Sequence, residues 1–143
     1  MPCPQPWTHV QRICIAAKKD LEGNWPDSRM CIDYRPINAE TKQSNYPMVR
    51  VDDCLAKAAN EVYFSKLDAR SGFRQIPVAE ADQKKTSFWW KGKAWMYIRA
   101  PFGLTNIPAH FQDVMDHIIL TEGLSDLCCC YIDDILIYSD TVE

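Results

Sequence analysis

Three aspartates stand where carboxylates are hard to accommodate unless they have a use. Asp133 and Asp134 interrupt the apolar run of "CCCYIDDILIYS", and Asp68 closes "YFSKLD". Two carboxylates about 4 Å apart repel by roughly 4 kcal/mol at an effective dielectric of about 20. A solvated turn lowers that penalty, and a bound divalent cation reverses its sign. Two buried strands joined by a two-residue Asp133-Asp134 turn would put both acids on the rim of a sheet, because Asp tolerates turn conformations, including those with positive φ. The plainer alternative is that Asp-Asp is only a good turn dipeptide. Asp68 changes that weighing, since it ends a predicted strand at the same kind of rim position. If that strand lies beside the Asp-Asp hairpin, three carboxylates converge. Such an oxygen-rich cluster suits Mg²⁺, with water and phosphate completing its shell. Paired Mg²⁺ ions held in this way suit in-line phosphoryl or nucleotidyl transfer.

The elements that must position these acids can be read along the chain. "VQRICIAAKK" and "RMCIDYR" predict two strands of a hairpin whose long tip, "DLEGNWPDS", is rich in turn formers. "RPINAETKQSNYP" reads as an irregular polar connection. "VRVDDCLAKAAN" predicts a short helix with Asp52 and Asp53 near its positive end. "EVYFSKLD" predicts the strand that ends at Asp68, followed by a turn into an extended segment over "ARSGFRQIPV". "EADQKKT" predicts a helical turn, and "SFWW" with "AWMYIR" a second hairpin around Lys91-Gly92-Lys93. Trp89, Trp90, Trp95 and Tyr97 of that hairpin read as packing residues rather than base-stacking ones. After the loop "APFGLTNIP" a helix is predicted from about Ala109, with Pro108 near its first turn. Phe111, Val114, Met115, Ile118 and Ile119 form its apolar stripe. Strands and helices are mixed without regular alternation, which favours an α+β fold over a doubly wound sheet.

Composition narrows the class. The chain has 143 residues, 47% of them apolar and 24% charged, which is a globular balance and fits one ordinary domain. A net charge of −3 argues against a duplex-binding module driven by bulk charge, though a local basic groove stays open. The seven cysteines include three in a row, Cys128 to Cys130, and form no C-x-x-C pair. They read as small buried residues of a reducing compartment rather than as a disulfide framework or a zinc site. His9, His110 and His117 do not cluster with them. The N-terminus lacks the pattern of a secretory signal, and no apolar stretch reaches the roughly 18 residues that span a membrane. An intracellular protein, cytosolic or nuclear, with no membrane partner is expected.

Four ordered blocks carry a resemblance. "KKDLEGNWPDSRMCIDYRPIN", "YFSKLDARSGFRQIPV", "KTSF" with "PFGLTNIPAHFQ", and "CYIDDILIYS" together resemble the reverse transcriptases of the gypsy-type long-terminal-repeat retrotransposons, over about Pro6 to Asp140. The resemblance implies the fingers and palm of a right-hand polymerase: fingers over about 1–50, palm over about 51–80, a fingers/palm hairpin over about 81–100, and palm with the YIDD hairpin over about 101–143. It implies RNA-directed DNA polymerase activity, with a template-primer of RNA or DNA and deoxynucleoside triphosphates as partners. It implies two Mg²⁺ ions, with Mn²⁺ as an alternative. Asp68 and Asp133 would be the principal metal ligands, Asp134 would complete the triad less directly, and the carbonyl of Ala69 would add a ligand. Phe73 would stand where the family places an aromatic gate against the 2′-hydroxyl. Arg29, with Lys18 or Lys19, would contact the triphosphate; strand alternation lets only one of the two lysines face it. Phe102 and Gly103 would line the nucleotide site, Arg35 would support the template side, and Tyr131 and Ile132 would lie against the primer end and the sugar.

The family's primer grip, thumb, connection and ribonuclease H segments have no counterpart in these residues, so the sequence reads as a fingers-palm fragment, a piece of a larger Pol polyprotein or a shortened product. Two other readings follow. A folded remnant without catalysis could bind RNA or a protein partner. A metal-dependent phosphodiesterase would need only the acids, and gives no reason for the fingers hairpin.

Overall fold

The computed structural model describes residues 10–19, 22–24 and 27–141, and for Lys18, Asp27 and Arg29 the backbone alone. The chain separates into two compact units, one of Met1–Lys42 with Arg74–Thr105 and one of Gln43–Phe73 with Asn106–Glu143.

The first unit is built on the predicted long hairpin. Strands β1 (Arg12–Lys18) and β2 (Asp27–Asp33) pair antiparallel in a register that sets Ile13 opposite Ile32 and Cys14 opposite Cys31. Cys14 and Cys31 are exposed, so the expectation of buried cysteines fails there. They lie opposite each other on a two-stranded ribbon. Ile32, Tyr34 and Phe88 form the unit's core, with Ile13, Ile37, Trp95, Tyr97 and Leu104 packed against it. Short strands β4 (Phe88–Trp90) and β5 (Lys93–Trp95) make the second hairpin. Lys91 and Gly92 both have positive φ, the backbone of a two-residue turn matched to strand twist. Trp95 and Tyr97 pack as expected, whereas Trp89 and Trp90 are exposed.

The connection after β2 differs from its reading as irregular: Arg35–Glu40 is a helix, α1. Pro36 presets the helical φ in the first turn. Asn38 fixes the helix to a distant loop, its Nδ2 donating to the Gly103 carbonyl at 2.7 Å and its Oδ1 accepting from the Thr105 N–H at 3.0 Å. Those partners lie some 65 residues away, out of reach of local pattern. The predicted helical turn appears as α3 (Glu80–Gln83), running into a 3₁₀ turn over Lys84–Thr86.

The second unit is a three-stranded antiparallel sheet with two helices. Helix α2 (Val51–Lys57) carries Asp52 and Asp53 in its first turn and Lys57 in its last, both favourable to the helix dipole. Strands β3 (Tyr63–Asp68), β6 (Cys128–Tyr131) and β7 (Asp134–Ser139) take the order β3-β7-β6. Cys54 and Ala58 of the α2 region pack on Cys129 and Tyr138, with Val49 and Leu136 alongside. All six residues of β3 are exposed, so its apolar alternation does not mark a buried face.

Helix α4 (Ile107–Thr121) begins two residues before Ala109, with Pro108 in its first turn. Its buried side shares only Phe111, Met115 and Ile119 with the apolar stripe read from the sequence. Phe111 and Gln112 are buried, Met115, Asp116 and Ile119 are half-buried, and Val114 and Ile118 are exposed. The packed face therefore runs through two polar side chains, for reasons visible only at the active site. No helix among the described residues is long and apolar enough to cross a membrane.

Candidate active site

The site is built at one end of the second unit's sheet. The antiparallel register sets Asp68, the last residue of β3, directly opposite Asp134, the first residue of β7. Tyr131, the last of β6, faces the same Asp134 from the other side. The two residues between them, Ile132 and Asp133, form the turn. This corrects the expectation that Asp133 and Asp134 are the turn pair: the turn lies one residue earlier, and the residue with left-handed backbone is Ile132, at φ 54°. A β-branched residue there costs on the order of 1–3 kcal/mol and persists only where its surroundings over-determine it. They do. The Ile132 N–H donates to Gln112 Oε1 at 2.8 Å, and its carbonyl accepts from the Cys130 thiol at 3.0 Å. The Asp133 carbonyl accepts the Ala69 N–H at 2.8 Å, tying the turn to the end of β3. Tertiary hydrogen bonds thus override the local preference for Asp at turn positions.

The three carboxylates are brought to the same rim but in different states. Asp68 is exposed. Asp134 forms an ion pair with Lys66 of β3 at 3.1 Å, partly exposed and hence weak. Asp133 is turned inward: its Oδ1 is buried and has no hydrogen-bond partner among the described residues. Burial first, and then the charges of Asp68 and Asp134, push the Asp133 carboxyl above its ordinary value. Gly72 makes room for it, because a Cβ at that position would collide with Asp133 Oδ1 and stand 3.0 Å from Phe111 Cζ. Among the described residues, no three side chains of His, Cys, Asp or Glu stand close enough to hold an ion as they are. The donor set nevertheless fits a hard divalent cation: the oxygens are carboxylate oxygens, and one of them is desolvated without compensation.

The other predicted residues fall as follows. The Ala69 carbonyl accepts the Gly72 N–H at 3.0 Å, which leaves it one lone pair. Phe73 is buried, its ring edge-on to Phe111 with centroids 5.6 Å apart, so little of the ring is open to a ligand. Tyr131 is exposed and Ile132 half-buried. In the first unit, Lys19 is exposed and follows β1; Lys18 pairs with Asp27 and Arg29 with Ala16 along the backbone, while the side chains of Lys18 and Arg29 lie outside the described residues. Arg35 grips Asp33 in a bidentate pair, Nε to Oδ1 at 2.8 Å and a terminal nitrogen to Oδ2 at 2.7 Å. Phe102 is exposed, and Gly103 has φ 98° and lies against the ring of Tyr34. Sequence reasoning missed Gln112, Gly72 and Lys66. Gln112 and Asp116 left one signal, a polar pair four residues apart between the apolar positions Phe111, Met115 and Ile119.

Residues 16–143 match the family described as reverse transcriptase (RNA-dependent DNA polymerase). The Pol polyprotein of transposon gypsy from Drosophila melanogaster is 39% identical over 139 residues, which is 97% of this chain and 13% of that polyprotein. An RNA-directed DNA polymerase homolog from Oenothera berteroana is 39% identical over 111 residues, 78% of each chain. A foamy viral protease-reverse transcriptase solved in complex with an RNA/DNA hybrid matches with a TM-score of 0.75 and 29% identity, over 96% of this chain and 18% of that one. The chain therefore spans a small part of the polyproteins it resembles, the part that in this sequence holds the Asp68 strand and the YIDD turn. With mixed helices and antiparallel sheets, and with this match over nearly its whole length, the chain belongs to the reverse transcriptase family.

Proposed function

We propose that this chain carries the catalytic end of an RNA-directed DNA polymerase, which joins a deoxynucleoside triphosphate to a primer 3′-hydroxyl and releases pyrophosphate. The observation that carries the reading is the buried, unpartnered Oδ1 of Asp133 beside Asp68 and Asp134. A carboxylate in that state is stable only as the neutral acid or with a cation beside it. Asp68 and Asp133 would hold two Mg²⁺ ions, or Mn²⁺ in their place, with the Ala69 carbonyl as a further donor; Asp134, already engaged by Lys66, would act less directly. When bound, the ions lower the pKa of the attacking hydroxyl and neutralise charge developing on phosphorus.

The chain's own residues orient the reaction. The hydrogen bonds at Ile132 and Asp133 would hold the backbone of the turn that carries Asp133. Phe73 would be the aromatic gate that excludes a 2′-hydroxyl, its packing against Phe111 keeping the ring rigid. Arg29, with Lys18 or Lys19, would supply a planar fork and a point charge to the triphosphate. Phe102 and Gly103 are assigned to nucleotide binding, Arg35 to the template side, and Tyr131 and Ile132 to the primer end. RNA or DNA template-primer would be the partner, as the RNA/DNA hybrid is for the foamy viral enzyme.

Primer extension on an RNA template with Mg²⁺ tests the reading, using the chain alone and grafted in place of the matching segment of the gypsy polyprotein. Incorporation by the parent and none by Asp133→Asn is the expected result. Equal incorporation by both would remove Asp133 from catalysis. No incorporation by the parent in either setting would favour a folded, non-catalytic remnant.

A further inference from the structure

Gln112 is fully buried, and every polar atom of its amide is used. Its Oε1 accepts the Ile132 N–H at 2.8 Å. Its Nε2 donates to the Cys130 carbonyl at 3.0 Å and to Asp116 Oδ1 at 2.8 Å. Oxygen and nitrogen of a glutamine amide look alike in shape, so something must decide which faces the turn. The Cys130 carbonyl and the Asp116 carboxylate both accept only, so together they select the NH₂ end and leave the oxygen for Ile132.

Asp116 is itself oriented. Its Oδ2 accepts the Tyr46 hydroxyl at 2.6 Å, a short charge-assisted bond. That bond holds the Tyr46 phenol protonated, pushing it up to about 12. Tyr46 lies in the irregular segment before α2, and this segment is fastened at a second point, where the Ser44 N–H donates to Asn106 Oδ1 at 3.0 Å just ahead of α4. All of these residues belong to the second unit. A continuous line of hydrogen bonds therefore runs from the Tyr46 hydroxyl to the backbone of the YIDD turn.

We propose that Tyr46 and Asp116 are positioning residues of the active site, acting through Gln112 to hold Ile132, and with it Asp133, in the turn. Their link to catalysis rests on the reading of Asp133 given above; their hold on the turn does not. Neither touches the reacting groups. With the Cys130 carbonyl, Asp116 sets the direction of the Gln112 amide, and Tyr46 sets the direction of the Asp116 carboxylate. Removing the Tyr46 hydroxyl leaves the carboxylate free to rotate, so the Gln112 amide keeps the Cys130 carbonyl but loses its second fixed acceptor, and its hold on the Ile132 N–H loosens.

The test is amide hydrogen exchange at Ile132, read by NMR on the chain, in the parent, Tyr46→Phe, Asp116→Ala, Asp116→Asn and Gln112→Ala. Loss of one such hydrogen bond corresponds to about a three- to tenfold change in a local equilibrium. Tyr46→Phe should accelerate exchange at Ile132 by about that factor. The Ala100 N–H, which donates to the Ile76 carbonyl in the other unit, should keep its rate. Asp116→Asn should stay closer to the parent than Asp116→Ala, because an Asn oxygen still accepts from Gln112 and the Tyr46 hydroxyl can accept from the Asn amide. Tyr46→Phe on top of Gln112→Ala should add nothing, since both cut the same line. An unchanged Ile132 rate in Tyr46→Phe, an equal acceleration of all amides, or additive effects in the double variant would overturn the proposal. A Mn²⁺ titration on the same samples carries the catalytic link, with several-fold weaker binding expected in Tyr46→Phe. A parent that binds no Mn²⁺ would refute the reading of Asp133, while the exchange data would still decide the positioning role.

Discussion

Asp33 closes β2 of the first unit with both oxygens taken by the guanidinium of Arg35, whereas Asp133, in the turn after β6 of the second, has a buried oxygen with no donor to it among the described residues. The hydrogen bonds and charge of Arg35 hold the Asp33 carboxyl down at about 2. Burial and two neighbouring acids push that of Asp133 the other way. The difference teaches what each carboxylate is for. One is satisfied by the fold and serves to brace a hairpin base; the other is left unsatisfied by the described residues, and a proton or a cation would complete it.

The strongest way to break that comparison is Asp133→Asn. It should reduce incorporation by at least about a hundredfold and yet raise the melting temperature of the metal-free chain, because it removes a desolvated charge. Primer extension and thermal melts without Mg²⁺ check the two halves, and a lower melting temperature would mean that Asp133 is already satisfied. Gly72→Ala comes next. Its Cβ needs the space that the Asp133 carboxylate fills, and overpacking of this kind costs about 1–3 kcal/mol. Urea unfolding should show the loss in the parent background and a smaller one beside Asp133→Gly.

A subtler outcome separates the two acids by pH. A carboxyl raised on folding contributes stability at low pH that is lost as pH climbs from the ordinary value of 3.8 through the raised one. A carboxyl lowered on folding contributes stability above 3.8 that is lost as pH falls toward about 2. Unfolding measured across the acid range should thus lose the first slope in Asp133→Asn and the second in Asp33→Asn. Arg35→Ala should have the smallest effect, returning the Asp33 carboxyl toward 3.8 in an NMR titration and scarcely moving the melting temperature. Both side chains of that pair have exposed surface, and exposed pairs are screened by solvent.

Much of this was legible in the residues. The strand ending at Asp68, the hairpin bearing the two acids and the α+β class followed from alternation and turn chemistry, because those signals act within a few residues. What escaped reading is held by contacts across long stretches of chain. Helix α1 is fixed by Asn38 to a loop near residue 104, so no local pattern announced it. The turn slipped one residue toward the N-terminus because Gln112 captures the Ile132 N–H, twenty positions away, where local preference would have chosen aspartate. The packed side of α4 departs from the apolar stripe in part for the same reason: Gln112 and Asp116 join Phe111, Met115 and Ile119 there, and a hydrophobicity pattern has no place for them.

The contorted backbone at Ile132 bears on how this motif can drift over generations. Glycine there would relax the kink but slacken the loop, and a bulkier or more branched side chain would fit the kink no better than isoleucine does. The backbone at the second letter of YIDD thus limits what can stand there in addition to anything its side chain reaches, and the stability surrendered at this one joint is offset by the hydrogen bonds that hold the turn.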